Sequence, residues 1–279
     1  MNFWYEFCQW LPIEVLQWRF MQNALLAILL IAPLFGLCST MIVTGKMSFF
    51  SDALGHSAFT GIAIGCVMGI AAPTWVAVTF SVLFSVLFSI VRIKSNHTAD
   101  TLIGVFSSTA VALGIFVATL GGGSFTKYNR YLIGDILSVT PTEILLLFLL
   151  LLLVVLFWTI TANRLTVSFI YPQLAASRGI PVNLLQCIFT VLIAVTVTLS
   201  ISWVGLMILN SLLILPGAAS RNLARNLKQY HLFSVLIALI SCICGLWVSF
   251  AFGASTGAAI SLILTVVFVI SLALQKWRR

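Results

Sequence analysis

"FFSDALGHSAFTG" (residues 49–61) sets Asp52 and His56 four positions apart inside an apolar run. Whether that run lies in water or in lipid settles the architecture, and the rest of the chain answers. Of its 279 residues 61% are hydrophobic and only 7% are charged, and the mean hydropathy is +1.17. Such a chain cannot hide its apolar surface as one water-soluble globule. The sequence is that of an integral membrane protein, all-α and polytopic. At about 20 apolar residues per span its length allows roughly eight to ten helices and leaves no room for a large soluble domain.

Outward from residues 49–61, hydropathy marks spans near 20–43, 49–70, 73–91, 101–120, 143–162, 182–201, 232–251 and 255–275, with a short one at 203–215. Eight or nine helices are therefore expected. If the C-terminal "KWRR" is cytoplasmic, alternation assigns each loop a side. Lys46, Arg92, Lys94, Arg164, Arg178, Arg221, Arg225, Lys228, Lys276, Arg278 and Arg279 then fall inside, and Arg19, Lys127 and Arg130 outside. That is 11 against 3 of the 14 basic residues, so the positive-inside rule is obeyed. The net charge of +8 is accordingly a topology signal, and nucleic acid has no place as a partner.

No linker, charge block or low-complexity run divides the chain, so residues 1–279 read as a single transmembrane domain in contact with lipid. "MNFWYEFCQW" has no positive n-region, and Glu6 and Glu14 precede the first span, which is expected to be retained. Cys8, Cys38, Cys66, Cys187, Cys242 and Cys244 lack metal-ligand spacing and read as packing residues. Cys242 and Cys244, two apart on a helix, face different ways.

Several helix starts are legible. "SVTPTEILLL" offers Thr140 as N-cap, Pro141 at the first helical position and Glu143 three after the cap, a capping box. Asp100 in "HTADTLIG" is expected to be an N-cap as well. Residues 121–135 read as an external loop, with Tyr128 and Tyr131 at the membrane boundary. In "LPGAASRNLARNLKQYH" Pro216 and Gly217 predict a helix end and turn at the cytoplasmic face. A short amphipathic helix with Leu223 and Leu227 on one side is expected to follow.

Asp52 and His56, at i and i+4, project from one helix face, and Thr60 continues it. An ionisable group inside a span costs about 2.5–3.5 kcal/mol on insertion scales, so such residues face a cavity, a partner or a pathway. The alternative is a local pair that satisfies itself. Carboxylate oxygen with imidazole nitrogen suits first-row divalent ions such as zinc and manganese, whereas calcium and magnesium prefer all-oxygen shells. Beside this face runs a small residue at every fourth position, Ser57, Gly61, Gly65 and Gly69, which lets another helix approach closely.

The missing motifs also narrow the function. "TGKMS" (44–48) has neither the upstream glycine nor the following Ser or Thr of a phosphate-binding loop, so any ATP is hydrolysed by another chain. No H-E-x-x-H or G-x-S-x-G is present, and His97 and His231 are placed in loops without partners. An intramembrane hydrolase has no support.

"MSFFSDALGHSAFTGIAIG" (47–65), "DTLIGVFSSTAVALGI" (100–115), "YLIGDILSVTPTEI" (131–144), "ASRGIPVNLL" (176–185), "VGLMILNSLLILPGAASRNLAR" (204–225) and "STGAAISLI" (255–263) carry a resemblance to one family, in order and across nearly the whole chain. It is that of the membrane-spanning permease subunits of bacterial ABC importers for zinc and manganese. The resemblance implies an all-helical homodimer in the bacterial cytoplasmic membrane with the pore between permeases. It implies a separate ABC ATPase subunit and an extracytoplasmic metal-binding protein as partners, and no permanently bound cofactor, the divalent metal being cargo. Asp52 and His56 are the implied metal contacts. Pro216, Gly217, Ala218, Ala219, Ser220, Arg221 and Leu223, within a coupling segment at about 216–228, are the implied ATPase contact. "YLIGDIL" is more similar to zinc-type than to manganese-type members. Some zinc-type members carry a histidine in the span matching "GVFSSTAVALG", where this chain departs with Ser107, Ser108 and Thr109.

The resulting expectation is a permease for zinc, with manganese second. A stand-alone secondary metal transporter or channel is the first rival, because an intramembrane Asp–His pair alone would serve it equally. A membrane enzyme or scaffold using the pair for proton chemistry is the second.

Overall fold

The computed structural model describes residues 4–6, 8, 17–120 and 136–277, without the side chain of Met207. The expected outer loop at 121–135, with Lys127, Tyr128, Arg130 and Tyr131, lies outside the described residues, as do Glu14, Arg278, Arg279 and most of "YLIGDIL".

Each expected span is a helix: α1 (Arg19–Thr44), α2 (Phe50–Val67), α3 (Pro73–Lys94), α4 (Ala99–Leu120), α5 (Pro141–Ile170), α7 (Val182–Val204), α8 (Leu206–Leu223), α9 (Leu227–Phe252) and α10 (Thr256–Trp277). A short α6 (Pro172–Ser177) joins α5 to α7, and a 3₁₀ turn covers Ile136–Ser138. Seven of these, all but α2, α6 and α8, are long and apolar enough to cross a membrane. The two 18-residue helices left over, α2 and α8, carry the polar motifs.

Helix α2 lies between α3 and α4, and α8 lies among α1, α9 and α10. The two groups meet through α7, which packs on α2, α3 and α5, and through a direct α2–α8 contact. Helices α1 and α7 form the interior: 67% of their apolar windows is buried, against 22% for α10 and 28% for α3, α4 and α5. The outer helices turn Leu83, Leu87, Leu149, Leu156 and Val266 outward. Water would not tolerate that face, and lipid solvates it.

Small residues set the interhelical distances. At Gly61 an added Cβ would stand 2.4 Å from Ala77 Cα, and at Gly65 3.0 Å from Pro73 Cα, while the Ser57 and Ser81 hydroxyls bond at 2.9 Å. The small-residue stripe of α2 is thus the seat of α3, as its spacing predicts. Gly69, with φ +70°, belongs to the turn after α2, where an added Cβ would meet nothing within 4 Å. Helices α7 and α8 are joined by Gly205 alone, at φ +87°, a left-handed conformation that glycine adopts without steric cost.

The caps follow expectation in part. The Thr140 N–H donates to Glu143 Oε2 at 2.7 Å, the returning bond of a capping box at the start of α5. Asp100 is not an N-cap: α4 begins at Ala99, and Thr98 Oγ1 accepts the Thr101 N–H at 3.4 Å instead. Cys242 is buried and Cys244 exposed, and both are free thiols.

Candidate functional site

The chain reverses at Gly45–Lys46, where Lys46 takes φ +53°, and enters α2 with the Phe50 N–H on Met47 O at 2.9 Å. Phe50 anchors this start by packing its ring, tilted by 35°, against Phe88 of α3, with centroids 4.9 Å apart. Asp52 follows in the first turn, where the helix dipole favours a carboxylate. His56 Nε2 stands 3.4 Å from Asp52 Oδ2, so the pair expected from i, i+4 spacing is formed.

Burial separates these two residues from everything around them. From Phe50 to Ala63 every residue of α2 is buried except Asp52 and His56, whose side chains are 44% and 31% exposed. The pair therefore opens on the surface of the chain and not into its core. Thr60 does not extend the open face. It is buried, and its single hydroxyl proton is shared between two carbonyls within reach, Ala110 O of α4 at 2.7 Å and His56 O at 3.0 Å.

Sequence reading missed Asn210. Its Nδ2 donates to Asp52 Oδ1 at 3.3 Å, from a helix 158 residues further along the chain. The only available signal was an amide within the apolar run "LMILNSLLIL". On α4, Ser108 and Thr109 are exposed, and Thr109 Oγ1 is turned to its own helix at Val105 O, 2.8 Å away. Among the described residues no three His, Cys, Asp or Glu side chains converge on one point.

His231 is not a loop residue. It lies in the second turn of α9, its Nδ1 is 2.9 Å from Thr40 Oγ1, and its ring stacks on Tyr230 and meets Trp158 edge-on. Those contacts bind α9 to α1 and α5. His97 lies between α3 and α4, where its N–H donates to Ser95 Oγ at 3.1 Å.

The helix end expected at Pro216–Gly217 is not there, because α8 continues to Leu223. Proline removes one backbone donor and crowds the preceding turn, and α1 repairs the break. The Gly217 N–H donates to Ser39 Oγ at 2.8 Å, and the Ser39 hydroxyl reaches Ile214 O at 3.4 Å. An added Cβ at Gly217 would stand 2.6 Å from Ser39 Oγ, so only glycine admits α1 this closely. No separate amphipathic helix follows. Residues 224–226 form a turn, and α9 begins with Asn226 Oδ1 accepting the Gln229 N–H at 2.8 Å.

This changes what the segment 216–228 can present. Pro216, Gly217, Ala219 and Ser220 are buried within the chain, Ala218 and Leu223 are half-buried, and Arg221, Arg225, Asn226 and Lys228 are exposed. A cavity of about 520 Å³ opens beside them, lined among others by Thr44, Lys46, Phe169, Arg221, Arg225 and Tyr230. The ends of α1, α5 and α8 thus meet on one side. Arg92 joins them, donating to Met47 Sδ at 3.1 Å and lying over the Phe169 ring. At the other end of the bundle the Asn23 side chain donates to Val139 O at 3.3 Å. The ends of α1, α3, α5 and α8, which alternation puts on one side of the membrane, are thus together in space.

Comparison with known proteins follows the same outline. The pattern that defines the ABC 3 transport family matches residues 17–275. The chain is 27% identical to the high-affinity zinc uptake system membrane protein ZnuB of Haemophilus influenzae, over 88% of this chain and 92% of that one. It is also 27% identical to the manganese transport system membrane protein MntC of Listeria innocua, over 92% and 91%. Among solved structures, PsaBC from Streptococcus pneumoniae in complex with Fab superposes with a TM-score of 0.78 at 25% identity, covering 97% of this chain and 94% of that one.

Proposed function

The chain belongs to the ABC 3 transport family, and from that premise we propose that it is the permease of an ATP-driven importer that carries zinc, with manganese second, across the bacterial cytoplasmic membrane. Zinc uptake and manganese transport are the roles named for these two relatives. It is a transport subunit and not an enzyme, with the metal as cargo and no resident cofactor. A separate ABC ATPase supplies the energy and an extracytoplasmic binding protein delivers the ion.

The observation that carries this reading is the opening of Asp52 and His56 from an otherwise buried stretch of α2. Two polar groups turned out of a bundle toward lipid would be costly, so they face a pathway. One carboxylate and one imidazole are also too few for the four ligands zinc prefers in a closed site. A two-fold homodimer would bring both pairs to a shared axis and offer up to four protein ligands. Such a site, built from two chains, can loosen when they part and release the ion. With a cytoplasmic C-terminus, alternation sets Arg221, Arg225 and Lys228 on the ATPase side, an orientation supported by the 11-to-3 distribution of basic residues.

The test is ATP-dependent zinc and manganese uptake by the assembled transporter in liposomes. Asp52→Ala and His56→Ala should each abolish uptake while leaving ATPase association intact. Wild-type uptake by His56→Ala would make the pair structural. Uptake by this chain purified without an ATPase would point to a secondary transporter instead.

A further inference from the structure

The α2–α8 contact divides the two oxygens of Asp52. Oδ2 faces His56 Nε2 at 3.4 Å, and Oδ1 accepts the Asn210 Nδ2–H at 3.3 Å. The helices meet here with a side chain against a glycine: an added Cβ at Gly55, between Asp52 and His56, would stand 2.4 Å from Leu206 Cδ1, one turn before Asn210. Packing does not account for an amide at position 210. Its neighbours Ile208, Leu209, Leu212 and Leu213 are buried apolar residues, and Asn210 Oδ1 is itself buried with no hydrogen-bond partner among the described residues. An unsatisfied buried acceptor is destabilising, so what the side chain contributes is the other end of the amide, at Asp52.

We infer that Asn210 is a positioning residue that holds Asp52 to one-oxygen coordination and thereby favours zinc over manganese at the transport site; this rests on the proposed role of Asp52 and His56 as metal contacts. An amide N–H cannot ligate a cation, and its bond takes one of the lone-pair sites of Oδ1 and fixes the carboxylate plane, so Oδ2, on the His56 side, is the oxygen best offered to the metal. A single carboxylate oxygen beside an imidazole nitrogen suits the compact four-coordinate shell of zinc. Manganese, which takes more oxygen ligands in an octahedral shell, gains more from a carboxylate free to give both oxygens. Freeing Oδ1 therefore helps manganese more than zinc. The link from Asn210 to selectivity runs through the orientation of Asp52, with no contact between Asn210 and the ion.

The experiment is competition: uptake of labelled zinc by the reconstituted transporter with its ATPase and binding protein, against increasing manganese. This readout is a ratio and does not depend on how much transporter is active. Asn210→Leu removes the donor at similar volume and should lower the zinc preference by about tenfold, the worth of one hydrogen bond to a charged group. Asn210→Ala should shift the ratio in the same direction and stands in if the leucine variant does not assemble. Asn210→Ser keeps a donor and should retain part of the preference. An unchanged ratio in an assembled leucine or alanine variant overturns the inference. If uptake is also lost in Asp52→Ala, the metal-site reading survives that failure; if Asp52→Ala transports normally, it is the metal-site reading that falls.

Discussion

Ser39 and Gly217, 178 residues apart, form the seam of α1 and α8: the Gly217 N–H donates to Ser39 Oγ at 2.8 Å beside the proline break. In lipid a freed backbone donor has no water to turn to, so this hydroxyl keeps α8 helical. Ser39→Ala should lower stability by about 1–3 kcal/mol, read as a lower unfolding midpoint in detergent. Gly217→Val should be worse, because it drives side-chain atoms into α1. A midpoint unchanged in both would show that the seam is not needed.

The ATPase contact should depend on the exposed cations of 221–228 and not on the buried residues of 216–220. Arg221→Glu with Arg225→Glu should abolish co-purification with the ATPase while the permease keeps its unfolding midpoint. Ala219→Asp should instead lose the fold, since Ala219 is fully enclosed and an unpaired buried charge costs several kcal/mol. Co-purification unchanged in the double arginine variant would move the contact elsewhere, and a well-folded Ala219→Asp would contradict the packing of α8.

If the pore lies between two permeases, His56 of one chain should come close to His56 of the other. In a background without native cysteines, His56→Cys should form a cross-linked dimer on oxidation, or be bridged by added divalent metal. A cysteine replacing Leu83, on the outward side of α3, provides the lipid-facing control. Cross-linking at Leu83 but not at 56 would put the dimer on another face.

Alternation predicts opposite sides for Ser255, in the exposed turn between α9 and α10, and for Lys228, exposed at the start of α9. Cysteines at the two positions should be labelled from opposite faces by an impermeant thiol reagent, position 255 from outside. Labelling of both from one face would show that α9 does not cross the membrane, and labelling of position 255 from inside with 228 from outside would reverse its orientation.

Much of the architecture was legible because it rests on local pattern. Apolar length marks each span, i, i+4 spacing pairs Asp52 with His56, a small residue in every fourth place seats α3 on α2, and Thr140 to Glu143 announces the start of α5. Each of these needs only residues within a few turns of one another, so periodicity and cap chemistry suffice to read them.

Where a linear reading was misled about the polar motifs, the cause lay far along the chain; the cap before α4, which fell to Thr98 and not Asp100, was a local exception. Pro216 and Gly217 are good signals for a helix end, and α8 runs through them because Ser39 accepts the Gly217 N–H and its own hydroxyl reaches Ile214 O beside the break. His231 looked like a loop residue until Thr40, Trp158 and Tyr230 enclosed it. Asn210 was one amide in an apolar run until α8 set it against Asp52. Inside a membrane the backbone and every buried polar group must find partners within the protein. Those partners sit on neighbouring helices, so hydropathy tells which segments enter the bilayer, and helix packing alone tells which polar groups meet there.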